Sequence, residues 1–179
     1  EVKMDQVVDA ATHAAIFSNL SALLDFQRRF LIAVEGPLTA AARSVPDSYA
    51  AHIGTLFTKA EADFGVYEEF CANHKHANEV AEASAVKLLE KAAILDARTQ
   101  LPSFLIKPIQ RICKYPLLLR ELIKMSAADA PDLEELRAAE AAMKRVGDRV
   151  NEKQRREENR LIAADLGERV EEWKLVRRE

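Results

Sequence analysis

The sequence predicts an all-α fold, an elongated bundle of long helices, on three observations. Apolar residues return every third or fourth position over most of its length, helix formers dominate, and no stretch alternates as a strand would. Six prolines and five glycines are too few for long irregular linkers.

A first helical region is expected from about Thr12 to Glu35, closing at Gly36-Pro37 as a stop signal. Its apolar set is Ile16, Leu20, Leu23 or Leu24, and Phe30 or Leu31, with room for a local break at Ser18-Asn19 and Ser21. Pro46-Asp47-Ser48 opens a second region with Ile53, Leu56, Phe57 and Ala60 on its apolar side. Phe64, Tyr67, Phe70 and Cys71 continue a buried stripe. The alanine-rich stretch from Asn78 to Arg98 reads as another closely packed helix. Two long segments follow, one from about Leu101 to Met125 and one from Asp132 past Asn159, where acidic residues favour the helix start. Residues 1–166 read as one domain, and Gly167 to Glu179 as the start of an exit segment.

Composition narrows the function classes. A chain of 179 residues with 49% hydrophobic content suits one soluble domain with a single core. The net charge of -3 argues against a dedicated nucleic-acid binder, which would carry a basic excess. No apolar run approaches the ~18 residues that a membrane span needs, and the N-terminus lacks the apolar stretch of a signal peptide. Cys71 and Cys113 have no metal-ligand spacing and read as small core residues in a reducing compartment. His74 and His76 lie two apart, on different sides of a helix, and do not form a zinc pair. The glycines are isolated, so no phosphate loop is present.

The segment LPSFLIKPIQRICKYPLLLRELIKM, Leu101 to Met125, is the most informative. Proline costs about 3 kcal/mol in a helix interior, yet Pro108 and Pro116 both stand in this helical pattern. Pro108 fits a first turn, where its missing N–H costs little. Pro116 removes the bond to the Ile112 carbonyl and is expected to kink the helix. Leu105, Ile109, Ile112, Leu119 and Ile123, broadened by Cys113 and Pro116, form a core face. Lys107, Arg111, Lys114, Leu118, Glu121 and Met125 form a second stripe. A face that only met water would not need Leu118 and Met125, so this mixture suits a protein partner.

The string Leu105-Ile106-Lys107-Pro108-Ile109-Gln110-Arg111-Ile112, followed by Lys114-Tyr115-Pro116-Leu117-Leu118-Leu119, closely resembles the most characteristic block of Dbl-homology domains, the exchange-factor domains for Rho-family GTPases. Ile16-Phe17-Ser18-Asn19-Leu20 with Asp25-Phe26-Gln27-Arg28-Arg29-Phe30-Leu31 resembles the family's second helix, in wording most like the fungal cell-polarity exchange factors. Val66-Tyr67 through Phe70-Cys71-Ala72-Asn73 and Val150-Asn151-Glu152 resemble later blocks, so the resemblance covers almost all of the chain. The family's opening helix, with its glutamate for the first switch of the GTPase, has no counterpart before Ile16.

The resemblance implies release of GDP from a Rho-family GTPase of the Rac/Cdc subgroup without covalent chemistry. No cofactor or metal is expected on this chain, since magnesium and nucleotide belong to the partner. It places Lys114 against the second switch and Asn151 on the last helix against the GTPase. Lys107, Arg111, Leu118, Glu121 and Arg155 are the further candidates for that surface. Ser103, Ile106 and Ile109 match positions that read which GTPase is bound, although Ile106 and Ile109 fit a core role equally and Ile109 lies on the core stripe. For Gln110, Arg111 and Tyr115, scaffold hydrogen bonds and packing stand beside direct contact. A following pleckstrin-homology domain, a cytoplasmic location and recruitment to the plasma membrane through other domains are implied as well.

The alternative is a helical scaffold or adaptor of the same fold without exchange activity. A lipid-facing basic patch of Lys153, Arg155, Arg156 and Arg160 is a weaker reading, because Glu152, Glu157 and Glu158 interleave with it as on a salt-bridged surface.

Overall fold

A computed structural model describes residues 8–43, 52–86, 88 and 100–176. Every regular element among them is helical: α1 (Ala10–Phe17), α2 (Leu20–Arg43), α3 (Ile53–Lys59), a 3-10 turn (Asp63–Gly65), α4 (Val66–Ala83), α5 (Gln100–Leu105), α6 (Lys107–Met125) and α7 (Leu133–Val176). At 44 residues, α7 extends about 66 Å at the helical rise of ~1.5 Å per residue and gives the bundle its length.

Asp9 caps α1 by accepting the Thr12 N–H at 2.9 Å. That bond holds its carboxyl below the usual range. The chain turns at Ser18, whose φ of 46° ends α1, so the expected break falls where Ser18-Asn19 allowed it. Asn19 donates to the Val66 carbonyl at 2.9 Å and Asn73 to that of Ala15 at 2.8 Å, pinning the turn to α4.

Along α2, Leu23, Phe26 and Phe30 are buried, which settles both open choices against Leu24 and Leu31, exposed at 46% and 54%. The expected stop at Gly36-Pro37 does not occur, and α2 runs through Pro37 to Arg43. Ala33 and Gly36 are exposed there, so the carbonyl that Pro37 leaves without a partner meets water instead of a dry core. Pro46-Asp47-Ser48 lies outside the described residues.

The 3-10 turn drives Phe64 into the centre, where it is fully buried. It meets Phe26 edge-on at 4.8 Å, Phe30 at 5.1 Å and Tyr115 at 5.6 Å between ring centroids. Edge-to-face pairs of this kind add ~0.5–1.5 kcal/mol beyond the area they bury. Tyr67, Phe70 and Cys71 carry the core along α4 as expected. No separate helix begins at Asn78, because α4 already spans it and ends at Ala83. The alanines do pack closely, with Ala77, Ala81 and Ala85 buried, and the remainder of that expected helix, 89–98, lies outside the described residues.

The 101–125 segment divides at Ile106 into α5 and α6, with Pro108 in the first turn of α6. Ile106 N–H to Pro102 O (3.1 Å) and Gln110 N–H to Ile106 O (3.0 Å) keep the course nearly helical across the division. Pro116 sits inside α6 without ending it. Leu105, Ile112 and Leu119 are buried, and Ile109 and Ile123 pack partly buried against the core. Cys113 corrects the sequence expectation. It is exposed, whereas Cys71 is buried and its thiol is pushed up to about 12 by desolvation.

Leu136, Ala139, Met143, Val146 and Val150 form the inner stripe of α7. Arg145 and Arg149 clamp α7 to the segment ahead of α4 and to its first turn, Arg145 gripping Glu61 at 2.6 and 2.9 Å and Arg149 reaching Glu68 at 3.0 Å. Past Gln154, which donates to the Cys71 carbonyl, the helix continues without a break through Gly167. Among the described residues no helix is long and apolar enough to cross a membrane.

Candidate functional site

The mixed stripe of α6 forms as the helical period requires. Lys107, Arg111, Lys114, Leu118, Glu121 and Met125 are all exposed, Leu118 at 57% and Met125 at 85%. An exposed run of charged and large apolar side chains on one helix face is the pattern of a contact surface. Lys107 and Lys114 make no hydrogen bond or ion pair with the described residues. Arg111 donates from Nη1 to Gln27 Oε1 at 3.1 Å, and Glu121 accepts from Lys124 at 2.7 Å.

On α5 and α6, three exposed apolar residues were not singled out from sequence: Phe104 at 59%, Leu117 at 56% and Leu122 at 43%. Phe104 lies one turn before Lys107, and Leu117 one turn after Lys114. The helical spacing that gave the stripe therefore carried the signal for both.

Ser103 is exposed and its hydroxyl donates to the Gln100 carbonyl at 2.7 Å. Ile106 stands at the junction of α5 and α6, half-buried, and Ile109 is half-buried against the core. Of these three, Ser103 is the most open to a partner.

The register of α7 brings its own candidates to the same end. Helices joined by the short connection 126–132 run antiparallel, and Arg120 meets Glu140 across them at 2.8 Å. Equal rise along both helices carries Asn151 to about the level of Ile109 and Arg155 to about that of Leu105. Asn151 is exposed and makes no side-chain bond with the described residues. Arg155 is exposed but engaged, gripping Glu152 at 2.9 and 3.0 Å while Arg156 reaches the same carboxylate at 2.6 Å. Arg155, then Arg156, pull the Glu152 carboxyl down to about 2. Arg160 pairs with Glu157 in the same way, so this end of α7 is a salt-bridged surface. Among the described residues no cluster of His, Cys, Asp or Glu is arranged to hold a metal ion.

Comparison with known proteins agrees with this architecture. The chain is 42% identical over 163 residues to Rho guanine nucleotide exchange factor scd1 of Schizosaccharomyces pombe, covering 91% of this chain and 18% of that protein. It is 35% identical to cell division control protein 24 of Saccharomyces cerevisiae, over 89% of this chain and 18% of the relative. It is 36% identical to the mouse phosphatidylinositol 3,4,5-trisphosphate-dependent Rac exchanger 1 protein, over 88% of this chain and 10% of the relative. The chain thus spans less than a fifth of the length of these curated relatives. Among solved structures, the apo structure of the activated truncation of Vav1 superposes with a TM-score of 0.73 at 28% identity, covering 87% of this chain and 40% of that one. Autoinhibited Vav1 gives 0.72 at 28% identity, over 87% of this chain and 29% of that one. A sequence profile of the RhoGEF domain matches residues 1–151. With the all-helical frame and the open mixed face of α6, that match makes the chain a member of the RhoGEF domain family.

Proposed function

We propose that this chain is an exchange-factor domain that stimulates GDP release from a Rho-family small GTPase of the Rac/Cdc subgroup by binding its switch regions. The observation that carries the reading is the α6 face, where Lys107 and Lys114 stand without acidic partners among the described residues, beside the exposed Leu118. Lys107, Arg111, Lys114, Leu118 and Glu121 on α6, with Asn151 and Arg155 on α7, supply the contact. Ser103, Ile106 and Ile109 tune which GTPase fits.

No covalent step is needed. A surface that binds the nucleotide-free GTPase better than the nucleotide-bound form lowers nucleotide affinity by the same factor, because the coupling is reciprocal. Magnesium and nucleotide stay with the GTPase, and this chain contributes only differential binding. The subgroup assignment is supported by the Ser103 to Ile109 stretch and by the likeness to a Rac exchanger. A kinship with the fungal polarity factors is supported by the wording of Asp25 to Leu31 and by the likeness to the two yeast proteins. In the parent protein we place a pleckstrin-homology domain after α7 and a cytoplasmic location with recruitment to the plasma membrane.

The test is release of a fluorescent GDP analogue from a panel of Rac-, Cdc- and Rho-subgroup GTPases, catalysed by this chain and by a longer form extended upstream of Glu1. Acceleration for a Rac- or Cdc-subgroup member is expected. Faster release from a Rho-subgroup GTPase would overturn the subgroup assignment. Binding without acceleration in both forms would replace exchange by a scaffold role of the same fold.

A further inference from the structure

Gln27, on α2, reaches the α6 face from a separate helix. Its Oε1 accepts two hydrogen bonds, from Arg111 Nη1 at 3.1 Å and from the Tyr115 hydroxyl at 3.3 Å. The arginine can only donate, so the atom facing it is the amide oxygen, and both its lone pairs are used. The other half of the amide is poorly served: Gln27 Nε2 is buried and has no hydrogen-bond partner among the described residues. A glutamate at this position would accept the same two bonds, strengthen the arginine one by charge, and leave no orphaned donor.

Five arginines elsewhere on α6 and α7 show what that alternative looks like. Arg120, Arg145, Arg149, Arg155 and Arg160 each face a carboxylate at 3.0 Å or less. Arg111 is held with comparable geometry by a neutral group, and it stands on the same face as Lys107 and Lys114, four residues after one and three before the other. Its guanidinium is oriented while its charge is left uncompensated.

We infer that Gln27 is a positioning residue of the GTPase-binding face, an uncharged acceptor that aims Arg111 while reserving its charge for a carboxylate on the partner. The inference rests on the exchange-factor reading and adds a residue that touches no partner. An amide in this place accepts a local penalty at Nε2 so that three cations face outward together, and a cluster of one sign raises the rate of encounter with an acidic surface.

Gln27→Glu separates this role from a structural one, because it keeps the acceptor and removes only the neutrality. It is expected to melt no lower than the unsubstituted chain. Exchange, measured on whichever GTPase that chain accelerates, should be slower by about threefold to tenfold at low salt, through KM, with the gap closing in about 0.5 M salt. Arg111→Gln alone should cost at least as much as Gln27→Glu, since each removes one positive charge from the face. Gln27→Leu, which removes the acceptor, should lower both melting temperature and exchange. Full activity of Gln27→Glu with the original salt dependence would mean that the amide is only scaffold, and the inference fails. An unsubstituted chain that accelerates no GTPase, alone or extended upstream, defeats the exchange reading itself.

Discussion

Lys114 stands on an exposed face with no carboxylate partner among the described residues, so the fold makes no use of its charge. Lys114→Ala is therefore expected to change stability by less than about 0.5 kcal/mol. On the proposed exchange function, loss of partner affinity should be far larger, about 2–5 kcal/mol, because truncation would leave a desolvated charge of the GTPase unpaired. Asn151→Ala should weaken exchange more mildly, since a neutral amide leaves a smaller penalty behind. Melting temperature and catalysed GDP release, measured side by side, decide the matter. If exchange by Lys114→Ala is intact, or falls only in step with unfolding, this face is scaffold.

At the scale of elements, the tightest constraint is where α3 crosses the first turn of α7. A Cβ built on Gly54 would lie 2.3 Å from the Glu135 carbonyl carbon and 2.4 Å from its oxygen. Those atoms are backbone and cannot swing aside, so only glycine permits this approach. Beside it, Thr55 donates to Glu135 at 2.7 Å and His52 lies 3.0 Å from the same carboxylate. Overpacking in a close contact costs about 1–3 kcal/mol, while alanine gains about 1 kcal/mol in helix propensity over glycine. Gly54→Ala is nevertheless expected to lower the melting temperature, because the clash is with main chain. An unchanged or higher melting temperature would show that α3 and α7 part at no cost.

Carboxylates held in their charged form tie α7 to the α3 region through Glu61 and Glu135 and brace α7 internally through Glu152 and Glu157. Arg145 lowers the Glu61 carboxyl first by hydrogen bonding, Thr55 does so for Glu135, Arg155 for Glu152 and Arg160 for Glu157. Each of these groups binds a proton more readily in the unfolded chain than in the folded one. Stability is then complete above the ordinary carboxylate value of 4.5 and falls as the pH drops through the depressed values, which reach about 2 at Glu152. The contribution of each exposed pair is small, and Glu61, which joins the link between α3 and the 3-10 turn to two arginines of α7, should dominate. Melting followed by circular dichroism should be level from about pH 8 to pH 7, slip a little below the histidine value of 6.5 because burial disfavours protonation of His74, and decline further below about pH 4.5. A melting temperature as high at about pH 3 as at neutrality would contradict this account.

The amino-acid sequence by itself determined the helical class, the core stripe through Leu105, Ile112 and Leu119, and the open face through Lys107, Lys114 and Leu118. All of these are consequences of a 3.6-residue period that any helix must obey. It also carried the string from Leu105 to Leu119 that marks the family. Where each helix stops was decided by tertiary structure, because ends depend on what surrounds them. Gly36-Pro37 fails to stop α2 where its freed carbonyl is wet, and Ile106 divides a segment whose third proline, at 116, is tolerated. Cys113 could not be separated from the core stripe by spacing alone, since it lies at the edge of that stripe and only the packing of α6 leaves it outside. The bond from Arg111 to Gln27 joins residues 84 positions apart. No local propensity encodes such a pair, which exists only because folding brings α2 beside α6.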